Sequence, residues 1–451
     1  MADEAVSRRR LLATSLGMAA ALPLAACSSP KGNLRTESVA PLASNVSAVH
    51  NIRDFGAVGD GVADDTEAIS RAAAVVDGPA VLYLPAGFYR VTAWPDLPDF
   101  SVVTGDGGDV SVVLYEGDDT LVSLRDRHRV QFARVGFFLT GPKGVAVSLS
   151  GSFRCSFDSV VLRGNHVNEN FPKYQAQRGV VLERNTGGTA FVNCDINNFG
   201  IGIVTSCIQN YLTSSKLTNN YLGVLGTGND NNAGLSMTNV EFVSDNDPNT
   251  TDKHVRIDGA ANDWWLTNVW FEGADTSLSI GERGRGGPSQ FGMVNCKVAA
   301  RSTCLDLISC RQPYLANVRF DPDTERPPVE LRIDPEGCPE GTAVNLISSR
   351  SDDIDLATFP KGWNVTGRGV SSGTVFVGPV VTRAVDDKDV FQAQNRNGDV
   401  VSAVLPNGSM LFERSGSGPI LKSEDGTYWR LSVSTDGKIE TKSMGGRRPP
   451  G

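Results

Sequence analysis

Six short segments in the middle of the chain share one template: apolar, variable, Asn, small or branched apolar, variable, apolar. They are FVNCDI at Phe191, LTSSKL at Leu212, MTNVEF at Met237, LTNVWF at Leu266, MVNCKV at Met293 and LANVRF at Leu315, with starts about 21 to 29 residues apart. Weaker copies, FARVGF at Phe132 and FDSVVL at Phe157, extend the series upstream. A unit this short cannot enclose a core alone, so it must stack on its neighbours, which is the signature of a solenoid. Read as a strand, each copy turns its fourth and sixth positions inward and its fifth outward. The third position is Asn193, Asn239, Asn268, Asn295 and Asn317, with Ser214 the exception, and reads as a ladder of amides bonded from coil to coil.

The outward fifth position reads Asp195, Lys216, Glu241, Trp270, Lys297, Arg319 in chain order. Coils stacked about 4.8 Å apart would join these side chains into one strip. Two residues farther along, a second outward column holds Asn197, Thr218, Glu272 and Asp321. Carboxylates for proton transfer, cations for anionic groups and an aromatic face for a sugar ring are what a polysaccharide groove requires. A plain charge ladder competes with this reading, since Asp195, Lys216 and Glu241 alternate in sign and opposite charges on neighbouring strands stabilise a solvated sheet. Trp270 has no core reason to stand in that column. Trp264 and Trp265 fall ahead of the template, in the turn, and carry no assignment.

Upstream lie VHNIRDFGAVGDGVADDTEAISRAAAVV, from Val49 to Val76, and AVLYLPAGFYRV, from Ala80 to Val91. Asp64 with Glu67 three residues later has the spacing of a capping box, and Ala68, Ile69, Ala72, Ala73 and Val76 form an apolar stripe at helical spacing. One short helix followed only by strands predicts a cap on a stack of coils. The segments Asp54-Phe55-Gly56-Ala57-Val58-Gly59-Asp60-Gly61, Asp64-Asp65-Thr66 and Leu84-Pro85-Ala86-Gly87-Phe88-Tyr89 resemble the opening motif of the pectate-lyase-like superfamily. That superfamily includes rhamnogalacturonase and epimerase relatives, polygalacturonase-related hydrolases, lyases and phage-tailspike-like proteins. The resemblance implies an all-β, right-handed parallel β-helix and leaves the reaction open. Its aspartates read as structural, fixing tight turns.

Glycosidic hydrolysis usually requires two carboxylates, about 5 to 5.5 Å apart for retention or about 6.5 to 9.5 Å for inversion. Glu272, Glu241 and Asp195 are the acid/base candidates, Trp270 the sugar platform, and Lys216, Lys297 and Arg319 the anion contacts. A lyase would use Lys or Arg as base, often with Ca²⁺ held by carboxylates. No cofactor or metal is otherwise expected. The polygalacturonase-type hydrolases carry a GHG segment that this chain lacks, and its histidines His50, His128, His166 and His254 lie outside the ladder, so the resemblance transfers no catalytic set. The expected function is binding and cleavage of an extracellular, acidic polysaccharide. The rivals are a lyase and a non-catalytic adhesin or fibre.

The first 27 residues read as an export signal: Arg8 to Arg10 precede an apolar run, with a twin-arginine resemblance at Ser7 to Leu12 and a lipobox resemblance at Leu24 to Cys27. Cys27 is the expected lipidation site, giving an exported protein held at the cell surface that touches the membrane only through that lipid; the alternative is an ordinary cleaved signal in which Cys27 is incidental and the protein is secreted. The net charge of −9, about −10 without residues 1–26, argues against nucleic acid or an anionic bilayer as a partner. The seven cysteines besides Cys27 show no metal-like spacing and read as buried thiols.

A linker covers 28–47, the β-helix 48–375, and a small β module 376–442, followed by a disordered tail at 443–451. The module is marked by hairpin signals at Asn397-Gly398, Asn407-Gly408, Asp425-Gly426 and Asp436-Gly437. Such modules cap a fibre end or join three copies, so a homotrimer is an expected assembly.

Overall fold

The computed structural model describes residues 48–449, apart from 76, 208, 228–232, 322–328, 350–353, 355, 369–375, 378–388, 395–398 and 415–416. The export signal with Cys27, the linker, Val76 and Asn397-Gly398 therefore lie outside the described residues. The chain winds as a parallel β-solenoid with three strand stacks, called here sheets 1, 2 and 3. Sheet 1 runs from Val49–Asn51 through Trp264–Thr267, and sheet 2 from Asp60–Asp64 through Trp270–Glu272. Among the described residues sheet 3 holds nine strands, Lys253–Asp258 being one of them. Sheets 1 and 2 meet again in the long strand Glu340–Ser348, which pairs into both.

The six-residue template is not one strand, as the sequence reading assumed, but two strands joined at a corner. In the coil that carries LTNVWF, Trp264–Thr267 belongs to sheet 1 and Trp270–Glu272 to sheet 2. Asn268 bends the chain between them with φ +55°, and Asn193, Asn239, Asn295 and Asn317 hold +53°, +55°, +56° and +52°. A left-handed backbone costs most residues roughly 1–2 kcal/mol, and asparagine tolerates it because its amide bonds locally. The repeat of asparagine therefore records a repeated corner. The amides also bond between coils: Asn268 Nδ2 donates to Asn239 Oδ1 at 2.7 Å, Asn317 to Asn295 at 3.1 Å and Asn345 to Asn317 at 2.8 Å.

Inward positions fill the core as expected. The fourth and sixth template residues, such as Val269 and Phe271, are buried in every copy, and so are Cys194, Ser215 and Phe320. Rings stack coil on coil: Phe132 on Phe157 at 5.2 Å, Phe157 on Phe191 at 4.7 Å, and Phe242 on Phe271 at 4.9 Å. Each fully buried Phe contributes roughly 1.5–3 kcal/mol, so the stacks account for much of the cohesion between coils. Trp264 is in sheet 1, not in a turn, and is wholly buried with its Nε1 donating to the Ala233 carbonyl at 3.0 Å. The seven described cysteines are buried as well, and burial pushes the thiols of Cys194, Cys310 and Cys338 up to about 12.

The opening block caps the stack with the helix Thr66–Ala73, which buries Ala68, Ile69, Ala72 and Ala73. The capping box does not form. The helix starts from Asp65, Asp64 Oδ1 accepts from the Thr66 N–H at 3.0 Å, and Glu67 pairs with Arg71. Asp65 is buried and accepts the N–H groups of Val58 at 2.6 Å and Gly59 at 3.1 Å, so this aspartate pins the glycine loop. Gly59 has φ +69°, and a Cβ there would stand 2.7 Å from the Tyr89 ring.

At the other end, Phe376–Val377 pairs antiparallel with the last solenoid strand, Gly362–Arg368. Two three-stranded antiparallel sheets follow, with Gly408, Gly426 and Gly437 at positive φ in the hairpin turns. The final strand, Ile439–Gly445, runs past residue 442. Among the described residues no helix is long and apolar enough to cross a membrane.

Candidate functional site

The register of sheet 2 makes the outward column continuous. Asp195 pairs with Lys216, Lys216 with Glu241, Glu241 with Trp270, Trp270 with Lys297 and Lys297 with Arg319. Glu272 stands in the second column opposite Val243, diagonal to Glu241. The strip is thus built by the alternation of short strands that leave the corner, Asn in five of these coils and Ser214 in the sixth, in the same direction.

Its side chains divide into three groups. At the downstream end, Lys297 Nζ lies 4.4 Å from the centre of the Trp270 ring and 3.3 Å from Asp321 Oδ2, while Arg319 Nη2 reaches Asp321 Oδ1 at 4.0 Å. Burial works against the Asp321 charge, but hydrogen bonds from Ser349 and Lys297 and the two cations outweigh it and hold the carboxyl below its ordinary range. In the middle, Trp270 is 45% exposed, and its Nε1 donates to Glu272 Oε2 at 2.9 Å. From within, the ring of buried His254 donates through Nε2 to the Glu272 carbonyl at 2.9 Å. Glu241 faces the other way along the strip, with its Oε2 3.4 Å from Lys216 Nζ. A shallow depression of about 200 Å³ lies between the Asn corner and the column, and Glu241, Trp270 and Lys297 line it while Glu272 does not.

The upstream end is electrostatically distinct. Burial, and next the neighbouring Asp109 carboxylate, push Asp195 above the usual carboxylate range, with Lys216 and Arg163 pulling the other way. The Asp195 side chain is nonetheless exposed, so solvent screens all of these influences and the effect is small. Arg163 is held in place by three contacts: its guanidinium lies 4.4 Å from the Phe138 ring centre, and it donates to Asp109 Oδ1 at 3.1 Å and Asn197 Oδ1 at 3.3 Å. Two carboxylates and two cations therefore converge where the sequence reading placed one carboxylate and one cation. Asp109 comes from the loop before Ser111–Tyr115, outside any template copy, so no spacing could have found it. Arg163 stands at the third position of the weak strand Val161–Arg163, in register with Asn197, and extending the second column one coil upstream would have reached it.

The structure thus brings Asp195, Lys216, Glu241, Trp270, Lys297 and Arg319 into one strip, and it separates Glu241 from Glu272 by their partners. Among the described residues, no group of three or more His, Cys, Asp or Glu side chains gathers to hold a metal ion.

Residues 49–134 match the family described as rhamnogalacturonase A/epimerase, pectate lyase-like, so the resemblance is shown over the opening block. The mannuronan C5-epimerase AlgE4 of Azotobacter vinelandii is 38% identical over 84 residues, which are 16% of this chain and 15% of that protein. Alginate lyase 7 of the same organism is 45% identical over 79 residues, 17% of this chain and 9% of that protein. The chain therefore spans only a small part of the curated relatives it matches. Among solved structures, an exopolygalacturonase from Thermotoga maritima aligns with 67% of this chain and 91% of its own, at 11% identity and a TM-score of 0.45. PfbA, a surface adhesin of Streptococcus pneumoniae, aligns with 87% of this chain and 98% of its own, at 11% identity and a TM-score of 0.41.

Proposed function

We propose that the protein binds an acidic polysaccharide along sheet 2 and cleaves it at the upstream end, with Asp195 as proton donor and Glu241 as the partner carboxylate. The observation that carries this reading is the meeting of Asp195 and Asp109 with Lys216 and Arg163 at one place on the strip, where burial and the second carboxylate raise the proton affinity of Asp195, the direction a general acid needs. Asp195 and Glu241 are two coils apart in direct register, about 9.6 Å by strand spacing, at the long edge of the inverting geometry. Lys216 lies between them and, with Arg163, offers a cation to the acid group of a sugar. Trp270 offers a ring face to a sugar farther along, with Lys297 and Arg319 as anion contacts. Glu272 serves in this reading as a positioning residue, because its carboxylate holds the indole N–H. The relatives named above act on mannuronan and alginate, which supports an acidic polymer as the class to test first.

Binding without cleavage is the second reading, favoured by the pairing of Glu241 with Lys216 and of Asp321 with Lys297 and Arg319, which already satisfies much of the strip's charge. One experiment separates the outcomes: incubate the protein with alginate, mannuronan and polygalacturonate, and follow reducing ends, ultraviolet absorbance of unsaturated products and proton NMR of the uronates. New reducing ends without unsaturation support the proposal. Unsaturated ends mean a lyase with a Lys or Arg base, with added Ca²⁺ as the control, and inversion at C5 without scission means an epimerase. Retention on one polymer without any chemical change means an adhesin. Export and lipidation of Cys27 are part of the same proposal, tested by the mass of the mature amino-terminal peptide. The homotrimer is tested by sedimentation.

A further inference from the structure

Sheet 1, on the other side of the Asn corner, carries an outward column of a different kind. Its register runs Tyr211, Ser236, Trp265, Gly292, Tyr314 on successive coils. The three aromatic residues are 45%, 42% and 39% exposed, and a small residue separates each from the next. Trp265 lies against the coil that follows it: a Cβ built on Gly292 would stand 2.3 Å from two carbons of the indole ring. The glycine thus lets the ring settle on the backbone and turn its other face to solvent. Two shallow pockets of about 270 and 380 Å³ lie on either side of Trp265, one bounded beyond by Tyr211 and the other by Tyr314.

We propose that this column is a second binding surface for carbohydrate, one that takes an uncharged, extended run of sugar rings. Three observations select that occupant. Aromatic faces repeat every second coil, about 9.6 Å, which is close to the length of two sugar rings in an extended chain. A sugar ring presents C–H groups to an aromatic face and hydroxyls at its edge, and the pocket rims supply amides for those hydroxyls from Gln209, Asn262, Gln290 and Gln312. Among the described residues, the charged groups lining both pockets are the acids Asp263 and Glu340, and no Lys or Arg lines either one. An anionic polymer would be repelled there, in contrast to the cation-bearing strip of sheet 2. This surface does not depend on the chemistry proposed for Asp195, and it fails or stands separately.

The test uses the full chain and three neutral probes, cellohexaose, mannohexaose and xylohexaose, followed by tryptophan fluorescence and calorimetry, with oligoalginate as the charged comparison. The expected result is that at least one neutral probe binds, that Trp265→Ala weakens it about tenfold or more while Trp265→Phe retains part of the affinity, and that Trp270→Ala leaves it unchanged. Gly292→Ala, which forces the ring off the backbone, should weaken the same probe with all aromatic residues still present. Oligoalginate binding should be the same in Trp265→Ala as in the unaltered chain. Failure of all three neutral probes to bind overturns the proposal, as does a Trp265→Ala protein of native melting temperature that binds them normally. Self-association of the chain that disappears in Trp265→Ala, without sugar binding, would reassign the face to a second copy and equally overturn it.

Discussion

Sheets 1 and 2 are cut from the same coils and meet at the same corner, yet their outward columns have only a tryptophan in common. One alternates aromatic with small residues; the other sets charges of both signs on one side of a tryptophan and two cations on the other. Both rest on the same apolar interior, whose inward positions hardly vary in kind. An outward side chain on a solenoid is relieved of packing duty, so its chemistry reports use more directly than that of any inward residue. The difference between the faces is therefore best tested by changes that strike one and spare the other.

The largest expected effect belongs to sheet 2. Asp195→Asn should lower turnover of an acidic polymer by about a hundredfold or more, the ordinary cost of losing a general acid. Its folded carboxyl sits above the usual range, so the carboxylate formed at higher pH is disfavoured by folding, and stability falls as pH rises through its titration. The neutral amide should thus keep or raise the melting temperature at neutral pH while activity is lost. Loss of both together would make Asp195 structural and remove the acid from the strip.

Acid should also act on one side of the corner. His254 is fully buried, packed near Phe242 and Phe271, and its pKa falls from 6.5 to about 4 because burial disfavours the charged ring. The unfolded chain takes up a proton first, so the stability this residue contributes is complete above about pH 6.5 and lost as pH falls towards about 4, up to about 3 kcal/mol. Because its ring holds the Glu272 carbonyl, sheet 2 should loosen before sheet 1 does. Melting curves across this range for the native chain and His254→Gln will show it; an equal acid slope in both would refute the assignment.

The corner itself should respond less. Asn317 donates to Asn295 and accepts from Asn345, and it holds a left-handed backbone. Asn317→Ala should cost about 1–2 kcal/mol, and Asn317→Gly less, since glycine keeps the conformation and loses only the ladder. Thermal unfolding in which both variants fall equally would place the whole effect in the amide bonds. Smallest of all, Lys216→Met should leave stability within about 1 kcal/mol, because its pair with Glu241 is solvent-exposed, while raising KM for an acidic polymer. An unchanged KM would favour the plain charge ladder.

The sequence made the inward and outward sorting of sheet 2 legible because short strands obey a strict period of two. Val269, Trp270, Phe271 and Glu272 all face as expected. It hid the corner, because asparagine in a strand-like template looks like a ladder rung, and a left-handed residue leaves no mark on apolar spacing. Trp265 was missed for a simpler reason: the template began one residue too late. Extended by one position, its copies read Ala190, Tyr211, Ser236, Trp265, Gly292 and Tyr314, and the alternation would have been visible. Asp109 left no comparable signal, since its place beside Asp195 depends on how a loop folds across coils that are distant in sequence.

Gly292 beneath Trp265 also sets how such a molecule can grow. Duplicating a single coil would place one indole under another, where the ring now lies only because the following coil offers no Cβ. The outward pattern of sheet 1 has a frame of two coils, and only lengthening by pairs keeps large over small in phase. Sheet 2 carries no such frame, so an odd insertion would leave one face in step and scramble the other.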